Sequence, residues 1–142
     1  MANHEDRLCI ALTSYVLRQW PMLRNHWIHV PNEGKRTPQG GHKMKRMGMA
    51  PGASDYFVTW PSGDFSLLVL EVKTDKGQLS DSQKRFLIDQ RRVPTTMAVV
   101  GYGWDDCKDI IDAWMDDRPE DIVWRQHCDT KALRRDYVKA QG

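Results

Sequence analysis

The sequence predicts an α/β (α+β) protein, a mixed β-sheet flanked by helices, in the order αβββαβ with further helices towards the C-terminus. Three observations carry that expectation. Leu8, Ala11, Leu12, Tyr15, Val16 and Trp20 recur at three- and four-residue steps, the spacing of one helix face. Two β-prone runs, 55–60 and 66–74, flank Pro61-Ser62-Gly63-Asp64, which has the chemistry of a hairpin turn. A helical block then separates the second run from the apolar stretch 95–101, and a strand, helix and strand of that length form a parallel pair with a right-handed crossover. A hairpin and a crossover sharing one strand require a mixed sheet.

Each element follows in order. The first helix, over 4–20, is stopped by Pro21, which cannot continue it. Trp27-Ile28-His29-Val30 is aromatic and β-branched and predicts a short strand ending at Pro31, which has no amide to give to a ladder. Residues 32–52 are rich in Gly and Lys, show no apolar period beyond a helical turn at 42–47, and predict a loop or lid. After the hairpin, Asp75-Lys76-Gly77-Gln78 makes a second turn. Ser80 or Asp81 then caps a helix carrying Gln83, Phe86, Leu87 and Gln90, which Val93-Pro94 ends. The run 95–101 has the composition of a central strand. Ile110, Ile111, Trp114 and Met115 lie on one face of an acidic helix over 105–117, and 130–140 predicts another. At 142 residues the chain fits one domain, with a core over 1–104 and a helical extension, 105–142, packed on it.

Composition narrows the function classes. Charged residues make up 28% and hydrophobic residues 40%, with a mean hydropathy of -0.64, as in a water-soluble globular protein. No apolar run approaches the roughly 18 residues of a membrane span, and the acidic start His4-Glu5-Asp6 is unlike a secretory signal. An intracellular location is therefore expected, with no membrane partner. Cys9, Cys107 and Cys128 are odd in number and form no CxxC, which excludes a disulfide framework and a zinc knuckle. The net charge of +2 conceals an asymmetry: residues 1–104 carry 14 basic against 9 acidic residues, whereas 105–142 carry 7 against 10. The segment 32–50 holds five basic residues and only Glu33 as counter-charge, which points to a polyanionic partner; a solvated loop has the same composition.

The chemistry is concentrated near the hairpin. Glu71 and Lys73 lie two residues apart on the strand 66–74 and so face the same side, opposite Leu68, Leu70 and Val72. Charges at the end of a buried strand are costly unless paired or bound to something; a salt-bridged strand end is the structural alternative. Asp55 opens the preceding strand after Pro51-Gly52-Ala53-Ser54, where the glycine lets the backbone approach closely. In the hairpin the ends far from the turn are neighbours, so Asp55 and Glu71 converge with Lys73 beside them. Two carboxylates repel unless a cation neutralises them, and oxygen ligands of this kind suit Mg²⁺ or Mn²⁺. With Lys73 to hold or deprotonate a water or to neutralise phosphate charge, the set favours metal-assisted phosphodiester hydrolysis.

Pro51-Gly52-Ala53-Ser54-Asp55, Glu71-Val72-Lys73, Gly77-Gln78-Leu79-Ser80 and Gln83 together resemble the PD-(D/E)xK nuclease superfamily, and specifically its VRR-NUC branch. Pro31-Asn32-Glu33-Gly34 and Gly48-Met49-Ala50-Pro51-Gly52 extend the likeness, which covers about 5–103. The resemblance implies a restriction-endonuclease-like core over 1–104, Mg²⁺ or Mn²⁺ as cofactor, and a DNA endonuclease selective for junctions, flaps or other branched DNA in replication, repair or recombination. It also implies Asp55, Glu71, the Val72 backbone carbonyl and Glu33 as metal ligands, Lys73 serving the attacking water, and Gln83 near the site. Ser54 stands where the superfamily's name has proline. The stand-alone format resembles phage and bacterial members, which implies a bacterial cytoplasm.

Read without the family, Glu33 is an exposed loop carboxylate and Gln83 a local helix-start residue. Lys35, Arg36, Lys43, Lys45 and Arg46 are candidate phosphate contacts, with Arg91 and Arg92 as weaker ones. The histidines form no metal-binding pattern. One site per chain means that cutting both strands of a junction calls for a homodimer. Two other functions fit the same residues: a non-catalytic nucleic-acid-binding module, and a metal-dependent hydrolase of small phosphates. The acidic helix has no readable task.

Overall fold

Asn3 accepts the Asp6 amide at 2.7 Å through its side chain and so starts α1 (His4–Gln19), satisfying one of the amides a helix start leaves unpaired. In the computed structural model, which describes residues 3–31 and 38–142, four strands follow: β1 (Trp27–His29), β2 (Tyr56–Val58), β3 (Leu67–Lys73) and β4 (Thr96–Tyr102). They form one sheet in the order β1-β2-β3-β4. The first two pairings are antiparallel and β3 with β4 is parallel, Glu71 lying opposite Val100 and Lys73 opposite Tyr102. The crossover between β3 and β4 is α3 (Asp81–Gln90). The mixed α/β sheet flanked by helices expected from the sequence is therefore the observed one.

Burial explains why the two long strands read as continuous apolar runs. Leu68, Leu70 and Val72 face a core shared with α1 and with α4 (Gly103–Met115), where Leu12, Val16, Ile110 and Trp114 are almost fully enclosed. Val69, Ala98 and Val100 face a second, smaller core under Leu87 of α3. A strand covered on both faces loses its polar alternation.

Several boundaries differ from expectation. β2 is shorter than 55–60 because its regular pairing with β3 stops at Tyr56 opposite Leu70, and the next amide along β3, that of Val72, donates to the Asp55 carboxylate at 2.7 Å. The turn expected at 42–47 is part of a longer helix, α2 (Pro38–Arg46). It ends at Gly48, with φ of 102°, whose amide and that of Met49 bond back to the Lys45 and Met44 carbonyls; this is the left-handed stop that glycine permits. α4 begins at Gly103 rather than 105, since a φ of 83° there turns the chain from β4 directly into the helix.

Two carboxylates of the acidic helix, Asp106 and Asp112, and Asp117 just beyond it are engaged within the fold. Asp112 accepts the Tyr15 hydroxyl at 2.5 Å and the Lys108 ammonium at 2.7 Å, tying α4 to α1. Asp117 accepts the Gly63 amide of the hairpin turn at 2.6 Å, and Ser62 donates to the Trp114 carbonyl beside it. Asp106 takes the Tyr102 amide and the guanidinium groups of Arg125 and of Arg134, the latter on α5 (Lys131–Gln141). Burial alone would raise the Asp106 carboxyl, but these partners outweigh it and hold it below the usual carboxylate range. Arg91, a weaker phosphate candidate on sequence grounds, is instead clamped by Asp129 at 2.7 and 2.9 Å and by the Ala98 carbonyl, so it belongs to the scaffold. Arg92 pairs at the surface with Asp89.

Removing Asp106 strands two enclosed guanidinium groups, a change that costs about 3 kcal/mol or more. Asp106→Ala is expected to lower the free energy of urea unfolding by about that amount, whereas Asp89→Ala, which breaks an exposed pair, is expected to change it by less than about 1 kcal/mol.

Candidate active site

The loop before β2 delivers the first carboxylate. Gly52 has a φ of 73°, and a Cβ there would lie 2.6 Å from the Gln83 amide and collide with the Ser82 carbonyl group, so only glycine lets this loop lie against the start of α3. From that turn the chain passes the fully buried Ser54 to Asp55. The Asp55 carbonyl is held by the Val30 amide at 2.8 Å, and His29 Nδ1 lies 3.0 Å from it. The Asp55 carboxylate turns towards β3, where it takes the Val72 amide.

Glu71 is the second carboxylate and the most constrained group in the site. Its residue is 2% exposed. Oε2 accepts a long hydrogen bond from Gln83 Nε2 at 3.4 Å, and Oε1 is buried with no hydrogen-bond partner. Burial, followed by the charge of the neighbouring Asp55, pushes the Glu71 carboxyl up from 4.5 to about 9, against the pull of Lys73. An enclosed acceptor without a partner costs on the order of 1–3 kcal/mol, and two adjoining carboxylates ionise together only beside positive charge.

Two helices complete the arrangement. Ser80 caps α3 reciprocally: its hydroxyl accepts the Gln83 amide at 3.2 Å, and Gln83 Oε1 accepts the Ser80 amide at 2.9 Å. That capping box fixes the Gln83 amide so that its Nε2 points to Glu71. The Gln83 side chain thus serves the helix cap and also contacts Glu71. Lys73, 7% exposed, has its stem against the turn at Gly77, whose amide closes on the Thr74 carbonyl. Its Nζ lies 3.9 Å from Oε1 of Glu5, on the first turn of α1. Burial, opposed by Lys73 and reinforced by Asp55, raises the Glu5 carboxyl above its ordinary value.

Asp55, Glu71, Lys73 and Gln83 are therefore brought together as expected, and Glu5 joins them although sequence reasoning missed it. Its only sequence signal was an acidic residue in a first helical turn, which reads equally well as complementing the helix dipole. Asp55, Glu71, Gln83 and Glu5 line a cavity of about 280 Å³, which Gly52 and Met49 close from the loop side. Glu33, Lys35 and Arg36 lie outside the described residues. Lys43, Lys45 and Arg46 are exposed along α2 without an ion pair among the described residues, and none of them lines the cavity. Among the described residues no group of three or more His, Cys, Asp or Glu side chains is gathered to hold a metal ion. What the described residues offer a cation is a pair, Asp55 and Glu71, of which Glu71 Oε1 is buried and without a hydrogen-bond partner among them. No helix among them is long and apolar enough to cross a membrane.

Comparisons with known proteins bear on the family and the fold. The family model of the VRR-NUC domain matches residues 12–101, a span that includes Asp55, Glu71, Lys73 and Gln83 but not Glu5. A solved structure of a VRR_NUC domain protein is similar in fold, with a TM-score of 0.69 over 82% of this chain and 91% of that one, at 22% identity. No curated protein matches the chain.

The Glu71 shift carries a signed stability prediction. The folded chain keeps this proton up to about pH 9, whereas the unfolded chain releases it near 4.5. Between those values the folded state binds more protons, so the contribution is fully present below about 4.5 and is lost as pH rises through about 9. Metal-free protein is expected to lose unfolding free energy from about pH 5 to about pH 9, and Glu71→Gln to flatten the profile. Urea titrations across that range check it, and a wild-type profile that rises with pH would contradict it.

Proposed function

Because the chain belongs to the VRR-NUC domain family, whose members are nuclease-type domains, we propose that it is a Mg²⁺- or Mn²⁺-dependent DNA endonuclease that cleaves branched or otherwise structured DNA. The observation that carries the metal is the buried, unpartnered Oε1 of Glu71 beside the Asp55 carboxylate. A hard divalent cation satisfies that oxygen and removes the repulsion in one step. Asp55, Glu71 and the Val72 carbonyl would hold it, with Glu33 as a further acidic ligand. Bound there, the cation supplies Lewis-acid stabilisation of a phosphate oxygen.

The side chains divide the rest of the work. Gln83 holds Glu71 by its Nε2, so the carboxylate keeps one orientation. Lys73 presents an ammonium at the mouth of the pair, where it orients the attacking water and offsets the charge that grows on the phosphate. Glu5, 3.9 Å from that ammonium, is the carboxylate nearest to it among the described residues and would take the water's proton. The water's oxygen adds to phosphorus as its proton passes to Glu5, one P–O ester bond breaks, and the departing sugar oxygen takes a proton from a solvent water, to which Glu5 returns its own. Lys35, Arg36, Lys43, Lys45 and Arg46 contact the DNA backbone, so affinity falls steeply with salt. Two copies acting as a homodimer cut both strands of a junction. The proposed setting is replication, repair or recombination inside a bacterial cell, the gene being bacterial or phage-borne.

Cleavage of labelled duplex, single-stranded, flap and four-way-junction DNA tests this reading. Cutting is expected with Mg²⁺ or Mn²⁺, with loss in EDTA, and Lys73→Ala is expected to slow it by about 10²–10³-fold. Unchanged cutting in EDTA or by Lys73→Ala removes the mechanism. Salt-sensitive binding without cutting identifies a non-catalytic module, and preferential hydrolysis of free nucleotides identifies a small-phosphate hydrolase.

A further inference from the structure

The turn that follows Lys73 has a second side. Gly77 packs against the Lys73 stem, at 3.2 Å from Cβ and Cδ to the position a Cβ would take, and on its other side it lines a separate cavity of about 310 Å³. Three lysines from three elements surround that cavity: Lys76 in the turn, Lys84 on α3 one residue beyond Gln83, and Lys131 at the start of α5. All three are exposed, and none is ion-paired among the described residues. Lys131 lies over the ring of Tyr102, its Nζ 5.9 Å from the centroid, and Tyr102 with Leu79 provides an apolar floor. Asp75, the one acidic residue in the lining, is turned onto the backbone at Gly103, where a Cβ would collide with its Oδ1.

From this geometry we infer that the cavity is a second phosphate subsite, which binds a backbone phosphate of the substrate strand next to the one at Asp55 and Glu71. The inference rests on the nuclease reading and adds to it a contact from outside the family match, because Tyr102 and Lys131 lie beyond residue 101. Three lysines lining one cavity over an apolar floor fit a phosphodiester with its sugar: the charge is diffuse, and the floor takes the deoxyribose. The subsite lies one short turn from Lys73, so a strand held there is aligned with the attacking water. The C-terminal helix α5 is anchored for this task by Arg134, which bonds Asp106 and the Val100 carbonyl of β4, and by Tyr137 stacked on Trp124 at 4.8 Å.

The test compares two charge-matched double variants, Lys84→Gln/Lys131→Gln in the cavity and Arg135→Gln/Lys139→Gln elsewhere on α5, with thermal melting to verify the fold. Binding of fluorescein-labelled duplex and single-stranded DNA is measured in EDTA between about 50 and 200 mM salt, and cleavage kinetics are measured with Mg²⁺. The cavity variant is expected to bind several-fold more weakly, to flatten the dependence of log K on log salt by about 1, and to raise KM more than it lowers kcat; the other variant is expected to match wild type. Equal losses in both variants reduce the effect to overall charge and overturn the subsite. Wild-type cutting with no change in the cavity variant also overturns it while leaving the nuclease reading in place, and absence of DNA binding by the wild type removes both.

Discussion

Two carboxylates held side by side at the end of a buried strand set the terms for the rest of this structure. Glu71 sits on a strand covered on both faces, and Asp55 lies beside it in the residue just before the neighbouring strand. Ionising both there is unfavourable, since burial and mutual repulsion act in the same direction. The fold keeps them by distributing small compensations. Asp55 is satisfied by a backbone amide, Glu71 partly by Gln83, and Lys73 contributes positive charge from the same strand face. The remaining deficit, one enclosed oxygen, is the opening a cation fills. A site that is fully satisfied without its ligand has less to gain from binding it.

Rigidity behind the site comes from the scaffold. α3 is fixed at its start by the capping box and by the contact that Gly52 permits, so the loop carrying Asp55 and the helix carrying Gln83 move as one piece. On the opposite face α1 is tied to α4 through Tyr15 and Asp112, which sets the position of Glu5 relative to Lys73. The hairpin turn is fastened to the end of α4 by Ser62, Asp117 and the Trp114 indole, which donates to the Trp60 carbonyl at 2.8 Å. These bonds hold β2 and β3 in the register that pairs Asp55 with Glu71.

Much of this was legible in the sequence where the determinants are local. The Glu71-x-Lys73 spacing on an apolar run gives two side chains on one face by strand geometry alone, and the turn 61–64 predicts the pairing that brings Asp55 across. Ser80 and Gln83 announce a helix start by their spacing. Glu5 was not legible because it reaches the site through the packing of α1 on the sheet, and nothing in its neighbourhood encodes a partner 68 positions away at Lys73. Arg91 misled for a related reason: adjacent arginines on a helix end read as a basic patch, and only the later segment carrying Asp129 reveals that one of them is consumed.

The same effect changes how the charge asymmetry is to be understood. The segment 105–142 is net acidic, with ten acids against seven bases, which by itself argues against contact with a polyanion. Yet Asp106, Asp112, Asp117 and Asp129 are each engaged in hydrogen bonds or ion pairs within the fold. A carboxylate matched by a guanidinium at hydrogen-bond distance projects little field beyond a Debye length of about 8–10 Å. Lys131 has no such partner, and it stands where β4, α3 and the turn after Lys73 meet. Net charge summed along a chain treats paired and free ions alike, whereas an approaching phosphate responds to the free ones on the face it meets. On that face three lysines stand against one carboxylate, Asp75, so an acidic segment can contribute to a net basic surface facing a DNA strand.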